Sequence, residues 1–274
     1  MMREPVRLVV LGTGTAIVTH YYNTCFLLDS VAEYFLVDAG GGKEILDQFQ
    51  KLNLDFRKLH HAFLSHEHTD HLLGMVWVLR YIAHLMRLEM YEGEFYLYCH
   101  DIVYVKLSTI CQMLLQPAEY ELFGRRIHLV TVEDKEERDI LQYHITFFDI
   151  HSTKAKQFGF KMAYSQSKTL VFLGDEPLSP TCSKHLKGAD WMLSEAFCLY
   201  SERDRHHPYR YHHATVKEAA ENAQAAGVKN LVLWHTEDET PVDKRQELYT
   251  REAEQFYNGR IYVPEDGQSI YLNT

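Results

Sequence analysis

The sequence predicts an α/β fold, and three features of the chain indicate it. Short apolar segments typical of strands are interleaved with longer segments that have helical periodicity. Several of the apolar segments end in a histidine or an aspartate, as strands do when one edge of a sheet supplies a site. With 274 residues, of which 46% are hydrophobic, the chain is long enough to bury a large core. We therefore expect one domain that spans residues 1–274.

The predicted elements follow one another along the whole chain. Strands are expected at 6–11, 24–28, 34–37, 62–64, 95–99, 126–132, 143–150, 158–164, 169–173, 191–193 and 231–234, with two short strands at the end. Helices are expected at 42–52, 72–90, 102–115, 216–226 and 242–257, and residues 133–139 are expected to form a charged turn. Gly12-x-Gly14 does not predict a dinucleotide loop, because Ile17 stands where a third glycine is needed.

Composition and charge exclude some classes of protein. The formal net charge of -10 argues against non-specific binding to nucleic acid or to an anionic membrane. No apolar run approaches the roughly 20 residues that cross a bilayer. The five cysteines are odd in number and include no C-x-x-C pair, as expected for a reduced, cytoplasmic protein.

The densest group of metal-ligand residue types follows the strand at 62–64, in the stretch Ser65-His66-Glu67-His68-Thr69-Asp70-His71. Imidazole and carboxylate suit zinc and its neighbours, and Gly74 would allow a tight turn into the next helix. An irregular turn could direct His66 and His68 to one ion while Asp70 and His71 face another. A merely solvated histidine-rich loop is the alternative, but this order of residues is more specific than a histidine count. We interpret the stretch as half of a two-metal centre.

Four more candidate residues stand where predicted strands end. Asp38 precedes three glycines, and a carboxylate there either holds a ligand imidazole or is a simple turn aspartate. His151, Asp175 and His235 each follow an apolar strand. Taken singly, His151 or Asp175 is explained equally well as an ordinary polar residue at a strand end, but together with the 65–71 stretch these residues predict ligands gathered at one edge of a sheet.

A cationic and aromatic loop, residues 201–213, comes late in this acidic chain. Arg203, Arg205 and Arg210 are candidate contacts for a phosphate, with Tyr209 or Tyr211 stacking on a base. A solvated, mobile loop is the equal alternative. After the loop, Thr215 and Glu218 are expected to form a capping box for the helix at 216–226, and Gly227 is expected to end that helix.

With these residues, the chain resembles the metallo-β-lactamase superfamily and, within it, the ribonuclease Z branch. The resemblance extends from the Leu-Gly-Thr-Gly at 11–14 to the strand that ends at His235. It implies a four-layer αββα sandwich, with Asp38 as the buried aspartate of the first motif. The implied ligands are His66, His68 and His151 for one ion, Asp70, His71 and His235 for the other, and Asp175 as the bridging carboxylate.

Two later segments resemble the ribonuclease Z branch in particular. Ser-Glu-Ala-Phe at 194–197 is similar to the family's His-Glu-Ala-Thr, with Ser194 and Phe197 in place of His and Thr. His213-Ala-Thr is similar to the family's His-Ser-Thr, which carries a catalytic histidine. Glu195 and His213 therefore resemble the family's Glu-His relay.

The resemblance predicts a metal-dependent hydrolase, and most closely a binuclear zinc phosphodiesterase or ribonuclease Z-like enzyme. Two divalent ions, Zn²⁺ or else Mn²⁺ or Fe²⁺, would acidify a water for attack on a phosphodiester. Asp70 would take the proton of that water, and His213, oriented by Glu195, would bind the phosphate or protonate the departing oxygen. The expected partner is a small-molecule or RNA phosphodiester, with no membrane, and a homodimer is a possible assembly.

One departure from the family bears on the substrate. Ribonuclease Z enzymes commonly carry a Gly- and Pro-rich arm that grips transfer RNA, whereas only a short two-strand segment separates His151 from Asp175 here. Processing of transfer RNA is therefore not predicted, but phosphodiester chemistry is. Two alternatives stay open: a hydrolase of the same fold acting on a cyclic nucleotide, lactone or thioester, and a non-catalytic scaffold.

Overall fold

The structure is a computed structural model that describes residues 6–272. It divides into two compact units, one formed by residues 6–12, 22–132 and 266–272 and the other by residues 13–21 and 133–265. Each unit contains a seven-stranded sheet, and the predicted α/β class is confirmed. The single domain over 1–274 stays a prediction, and residues 1–5 and 273–274 of that span lie outside the described residues.

The strands are β1 Arg7–Gly12, β2 Cys25–Asp29, β3 Tyr34–Val37, β4 Leu59–Leu64, β5 Phe95–Cys99, β6 Ile127–Thr131, β7 Glu137–Ile140, β8 Tyr143–Asp149, β9 Phe158–Ala163, β10 Thr169–Phe172, β11 Trp191–Glu195, β12 Asn230–Trp234, β13 Arg260–Tyr262 and β14 Ser269–Tyr271. The helices are α1 Glu44–Lys51, α2 Thr69–Arg87, α3 Asp101–Leu114, α4 Pro117–Tyr120, α5 Ser183–Leu186, α6 Arg203–His206, α7 Val216–Ala226 and α8 Val242–Ala253. Short 3-10 turns lie at Phe56–Lys58, Tyr200–Glu202 and Pro208–Tyr211. Among the described helices, none has both the length and the apolarity needed to cross a bilayer.

The sheet of the first unit has the order β14-β1-β2-β3-β4-β5-β6. Its first four strands pair antiparallel, and β3 to β6 pair parallel. Parallel strands end on the same side of a sheet, so the turns after β3 and β4 are neighbours. The core of this unit joins apolar residues of the sheet to the buried stripes of α1, α2 and α3, including Phe49, Leu79 and Leu107.

Helix α2 begins three residues earlier than predicted, at Thr69. His68 has an extended backbone, and its carbonyl accepts hydrogen bonds from the N–H groups of His71 and Leu72, so the helix starts within the motif. Asp70 and His71 therefore lie in the first turn of α2 and not in an irregular loop. Carboxylates are favoured there, because the helix dipole is positive at this end.

The prediction that Gly74 forms the turn into α2 is wrong, because Gly74 lies inside the helix. A Cβ atom at this position would stand 1.7 Å from the carbonyl oxygen of Ala39, so only glycine allows the helix to approach the turn after β3 this closely. The Gly74 N–H donates to the Gly40 carbonyl at 2.8 Å. This contact brings the first turn of α2 against the turn that carries Asp38.

The sheet of the second unit has the order β13-β12-β11-β10-β9-β8-β7. Strands β10 to β13 pair parallel, and β7 to β10 pair antiparallel. The predicted capping box at the start of α7 is present, with Glu218 accepting from the Thr215 N–H at 2.7 Å. Gly227 ends α7 in the left-handed region, at φ 66°, as a helix C-terminus often requires.

Two parts of the second unit differ from the predicted elements. Residues 137–139 of the expected charged turn lie in β7, the edge strand of this sheet. Residues 201–211 of the expected loop lie mostly in short helical turns. By contrast, the segment between His151 and Asp175 is the predicted pair of short strands, β9 and β10.

Candidate metal centre

In the first unit, the segment just after β4 carries two histidines, His66 and His68, whose ring nitrogen atoms lie close together. His66 is fully buried, and its Nδ1 lies 2.9 Å from the Ser65 hydroxyl. Its Nε2 lies 2.9 Å from Nδ1 of His68. Two neutral imidazoles can approach this closely when one donates a proton to the other or when both nitrogen atoms converge on one cation. The pair therefore has the donor chemistry of two ligands to a single ion.

Asp38, just after β3, fixes the orientation of His71. The Asp38 carboxylate accepts hydrogen bonds from the Ser65 backbone N–H and hydroxyl, each at 2.7 Å. Its Oδ2 also lies 2.9 Å from Nδ1 of His71. Because a carboxylate can only accept, Nδ1 of His71 must carry the proton, and Nε2 of the neutral ring carries the lone pair.

His71 then points that lone pair toward a second carboxylate. Its Nε2 lies 3.2 Å from Oδ2 of Asp70, and both side chains are buried. Lone pairs on two buried acceptors repel each other unless a proton or a cation lies near both. A divalent cation fits this arrangement, since a carboxylate that orients a ligand histidine is the usual outer partner of such a site.

The second unit places another carboxylate and histidine together. Asp175 follows β10 and His235 follows β12, and Nε2 of His235 lies 3.5 Å from Oδ2 of Asp175. Both residues are buried. The buried amide of Gln157 donates to Oδ1 of Asp175. Oδ2 of Asp175 and Nε2 of His235 therefore face each other, and a carboxylate oxygen and an imidazole nitrogen in this arrangement suit a bound cation.

Sequence reasoning did not identify Gln157. It precedes β9, and its side-chain carbonyl also accepts from the Asp175 N–H at 3.4 Å, so the amide contacts both the backbone and the side chain of Asp175. A polar residue just before an apolar strand was the available signal. Such residues are too common to single out without knowledge of what lies opposite them.

The structure places His151 differently from the other predicted ligands. It follows β8 as expected, but 56% of its side chain is exposed, and its Nδ1 lies 3.9 Å from Asp149. Among residues 6–272, His151 belongs to no group of three or more ligand-type side chains close enough to hold an ion. Its role as a ligand remains an expectation from the resemblance.

Glu195 and His213, which are distant in sequence, lie side by side in the second unit. Oε2 of Glu195 is 3.5 Å from Nδ1 of His213, and Oε1 accepts from the Ala214 N–H at 2.5 Å. Phe197 stacks on the His213 ring, with the centroids 5.0 Å apart. The aromatic residue at 197 therefore fixes the plane of the imidazole that Glu195 orients.

Burial and proximity shift the pKa of both groups. Burial lowers the pKa of His213, but the adjacent Glu195 carboxylate outweighs this effect, so the net pKa is raised. Burial raises the pKa of Glu195, and His213 offsets only part of the increase. The pair therefore holds a proton more readily than these side chains do in water, which suits general acid catalysis.

The arginines of the 201–213 segment have unequal surroundings. Arg203 donates to the Tyr200 carbonyl at 2.8 Å and lies over the Tyr200 ring, and Arg205 pairs with Glu239. Arg210 is exposed. Arg203 and Arg210 also line a cavity of about 250 Å³. Contacts of these three arginines with a substrate remain a prediction.

Comparison with known proteins identifies related chains. Residues 33–236 match the β-lactamase superfamily domain. A ribonuclease Z from Parabacteroides distasonis is 22% identical, with 95% of this chain and 97% of the relative covered. The metallo-β-lactamase fold protein YhfI from Bacillus subtilis has a TM-score of 0.78 at 19% identity, covering 97% of this chain and 99% of that one. The short form of human tRNase Z has a TM-score of 0.73 at 18% identity, with the same coverage.

These similarities bear directly on the predictions. Relatives named ribonuclease Z confirm the predicted resemblance, and the solved structures confirm the fold. The matched segment covers most of the chain and contains Asp38, the 65–71 motif, Asp175, Glu195 and His235. The protein therefore belongs to the β-lactamase superfamily.

Proposed function

We propose that this protein is a two-metal phosphodiesterase of the ribonuclease Z type. The superfamily and its ribonuclease Z relatives support the class of metal-dependent hydrolase. The proposed ligand set combines His66, His68 and His151 for one ion, Asp70, His71 and His235 for the other, and Asp175 for both. When bound, such ions acidify a water and offset the negative charge of a phosphodiester. Zinc is the proposed metal, since imidazole and carboxylate suit it, and Mn²⁺ or Fe²⁺ is accepted by the same groups.

The chain's own residues prepare this site. Asp38 keeps the proton of His71 on Nδ1 and so keeps Nε2 available to a cation. Gln157 restricts the rotation of the Asp175 carboxylate. Asp70, besides acting as a ligand, is the proposed acceptor of the proton that the attacking water loses.

The Glu195–His213 pair is the observation that carries the assignment to phosphodiester chemistry. Lactonase-like and glyoxalase-like members of the superfamily share the metal loop but are not expected to have this later pair. With Nδ1 beside Glu195, Nε2 of His213 is the nitrogen that can bind the phosphate or protonate the departing oxygen. The raised pKa of His213 keeps more of the ring protonated near neutral pH, as this role requires.

The proposed substrate is RNA or a small-molecule phosphodiester. Relatives named ribonuclease Z favour RNA, whereas the short β9–β10 segment and the formal net charge of -10 favour a substrate that needs no extended cationic surface. A homodimer and a cytoplasmic location also remain proposals. The alternatives are hydrolysis of a cyclic nucleotide, lactone or thioester on the same fold, or a scaffold without turnover.

Metal analysis combined with a phosphodiesterase assay tests the proposal. His66→Ala and Asp175→Ala should each lose bound metal and hydrolysis of bis-p-nitrophenyl phosphate, because each removes a proposed ligand. His213→Ala should keep the metal content of the wild type and lose hydrolysis. Unchanged metal stoichiometry in His66→Ala would contradict the ligand assignment, and normal turnover in His213→Ala would contradict the relay. Faster turnover of lactones or thioesters than of phosphodiesters would favour the alternative substrates.

A further inference from the structure

A second group of ligand-type side chains lies within the second unit, apart from the proposed ligands. Glu202 ends a 3-10 turn, His206 ends α6 four residues later, and Glu237 follows β12. Each offers one ligand atom, and these atoms all lie within 4.8 Å of one another. One imidazole and two carboxylates are the donor set that divalent transition metals accept.

His206 is the side chain that points to a bound ligand. Only 5% of its side chain is exposed, and its Nε2 makes no hydrogen bond to any described residue. That nitrogen lies 3.4 Å from Oε2 of Glu202. A buried polar atom without a hydrogen bond is costly, and the great majority of such atoms in proteins have a partner. A cation held between the imidazole and the carboxylate would satisfy it.

Glu237 is a buried carboxylate that its own turn holds in place. Its Oε2 accepts from the N–H groups of Glu239 and Thr240. Its Oε1 accepts from the Thr240 hydroxyl at 2.6 Å and from the Tyr249 hydroxyl at 3.1 Å. Hydrogen bonds hold a carboxylate in one orientation, as the outer partners of metal-ligating carboxylates do. These bonds occupy both oxygens, so a cation would displace the longest of them, from Tyr249.

We propose that Glu202, His206 and Glu237 bind a third divalent transition-metal ion, such as Zn²⁺, that serves a structural role. The ion would fasten the segment at 200–206 to the end of β12. Phe197 lies between these parts: its carbonyl accepts from the Glu237 N–H at 2.8 Å, and its ring lies edge-on to His206. The same ring stacks on His213, so the ion would also steady the surroundings of that histidine.

Zinc content per chain tests this site. The tag-free protein is stripped with a chelator, dialysed against ZnCl₂ and measured by inductively coupled plasma mass spectrometry. Glu202→Gln and His206→Gln should each hold one ion fewer per chain than the wild type, because each keeps the side-chain size and removes a ligand. Matched controls on exposed residues, Glu254→Gln and His144→Gln, should hold as much zinc as the wild type.

A second background separates this site from the proposed catalytic centre. A His66→Ala/Asp175→Ala protein should keep one zinc ion per chain, and adding His206→Gln should remove it. The difference of one ion between wild type and His206→Gln is expected whether or not the catalytic ligands are assigned correctly. Because Glu202 is partly exposed, Glu202→Gln tests the site even if His206→Gln fails to fold. Equal zinc content in wild type, Glu202→Gln and a folded His206→Gln would overturn the proposal and leave only an ion pair.

Discussion

Asp38→Asn removes the acceptor that determines which nitrogen of His71 carries a proton. The carboxylate has three hydrogen-bond partners, namely the Ser65 N–H, the Ser65 hydroxyl and Nδ1 of His71. An asparagine can keep one oxygen acceptor but presents an NH₂ group where the second oxygen was. If that NH₂ faces His71, the ring must accept at Nδ1 and place its proton on Nε2, where the proposed metal would bind.

The magnitude follows from these contacts. A hydrogen bond to a charged group contributes about 1.5–3 kcal/mol, and losing one or two at a fully buried site should reduce the free energy of unfolding by about 2–5 kcal/mol. Loss of an outer partner of a ligand typically weakens metal affinity about 10–100-fold. Asp38 also has φ 55°, a conformation that Asn tolerates better than Ala does. Asp38→Ala should therefore be less stable than Asp38→Asn.

Urea unfolding and zinc titration measure the two effects. Asp29→Asn is the matched control, because Asp29 also ends a strand but pairs with the partly exposed Arg7. Asp29 is itself buried and also accepts from the Val31 N–H, so Asp29→Asn should lower the free energy of unfolding by about 1.5–3 kcal/mol, but it should leave the zinc affinity unchanged. Wild-type zinc affinity in a folded Asp38→Asn protein would refute the argument that Asp38 prepares His71 for a cation.

Three further changes test other parts of the reasoning. In urea unfolding, Gly74→Ala should lower the free energy of unfolding by more than the usual overpacking cost of about 1–3 kcal/mol, because the added Cβ would meet a backbone carbonyl oxygen at 1.7 Å. The control Gly42→Ala should be nearly neutral, because its Cβ would meet only a flexible side chain. Burial lowers the pKa of His61 to about 4, so the unfolded state takes up its proton first and the wild type loses stability as pH falls from about 6.5 to about 4. Between pH 7 and pH 4.5, the free energy of unfolding should fall by about 1–2 kcal/mol less in His61→Gln than in the wild type, after allowance for the exposed part of the ring. Equal decreases in the two proteins would contradict the lowered pKa of His61. Gln157→Leu should weaken zinc binding in a titration about 10-fold or more, because it removes the amide that donates to Asp175, and unchanged affinity would show that this amide does not position the carboxylate.

The sequence was sufficient for features that depend on local chemistry. Apolar runs predicted the strands, and Thr215, Glu218 and Gly227 predicted both ends of α7, because capping uses residues that are close in the chain. The edge strand β7 was missed, since Glu137, Arg138 and Asp139 have the charged character of a turn. Charged residues are equally typical of edge strands, where they prevent pairing with other chains.

Features that depend on contacts between residues distant in the chain could not be predicted from the sequence. The need for glycine at 74 comes from a backbone carbonyl at 39, which sequence periodicity within α2 cannot reveal. The same limit explains Gln157, whose importance comes only from the residue that it contacts, Asp175. His151 follows β8 as predicted, with 56% of its side chain exposed, and its role as a ligand stays a prediction.

The backbone adds an argument that the residue types alone do not provide. Asp38, His151 and His235 each follow a strand, and each has a positive φ, of 55°, 58° and 54°. For residues other than glycine this conformation costs about 1–2 kcal/mol, and glycine would avoid the cost. Aspartate and histidine tolerate this conformation better than most residues other than glycine, so all three positions combine a left-handed backbone with a ligand-type side chain. Strain of this kind concentrates at functional sites, which supports the chemical role proposed for the ends of these strands.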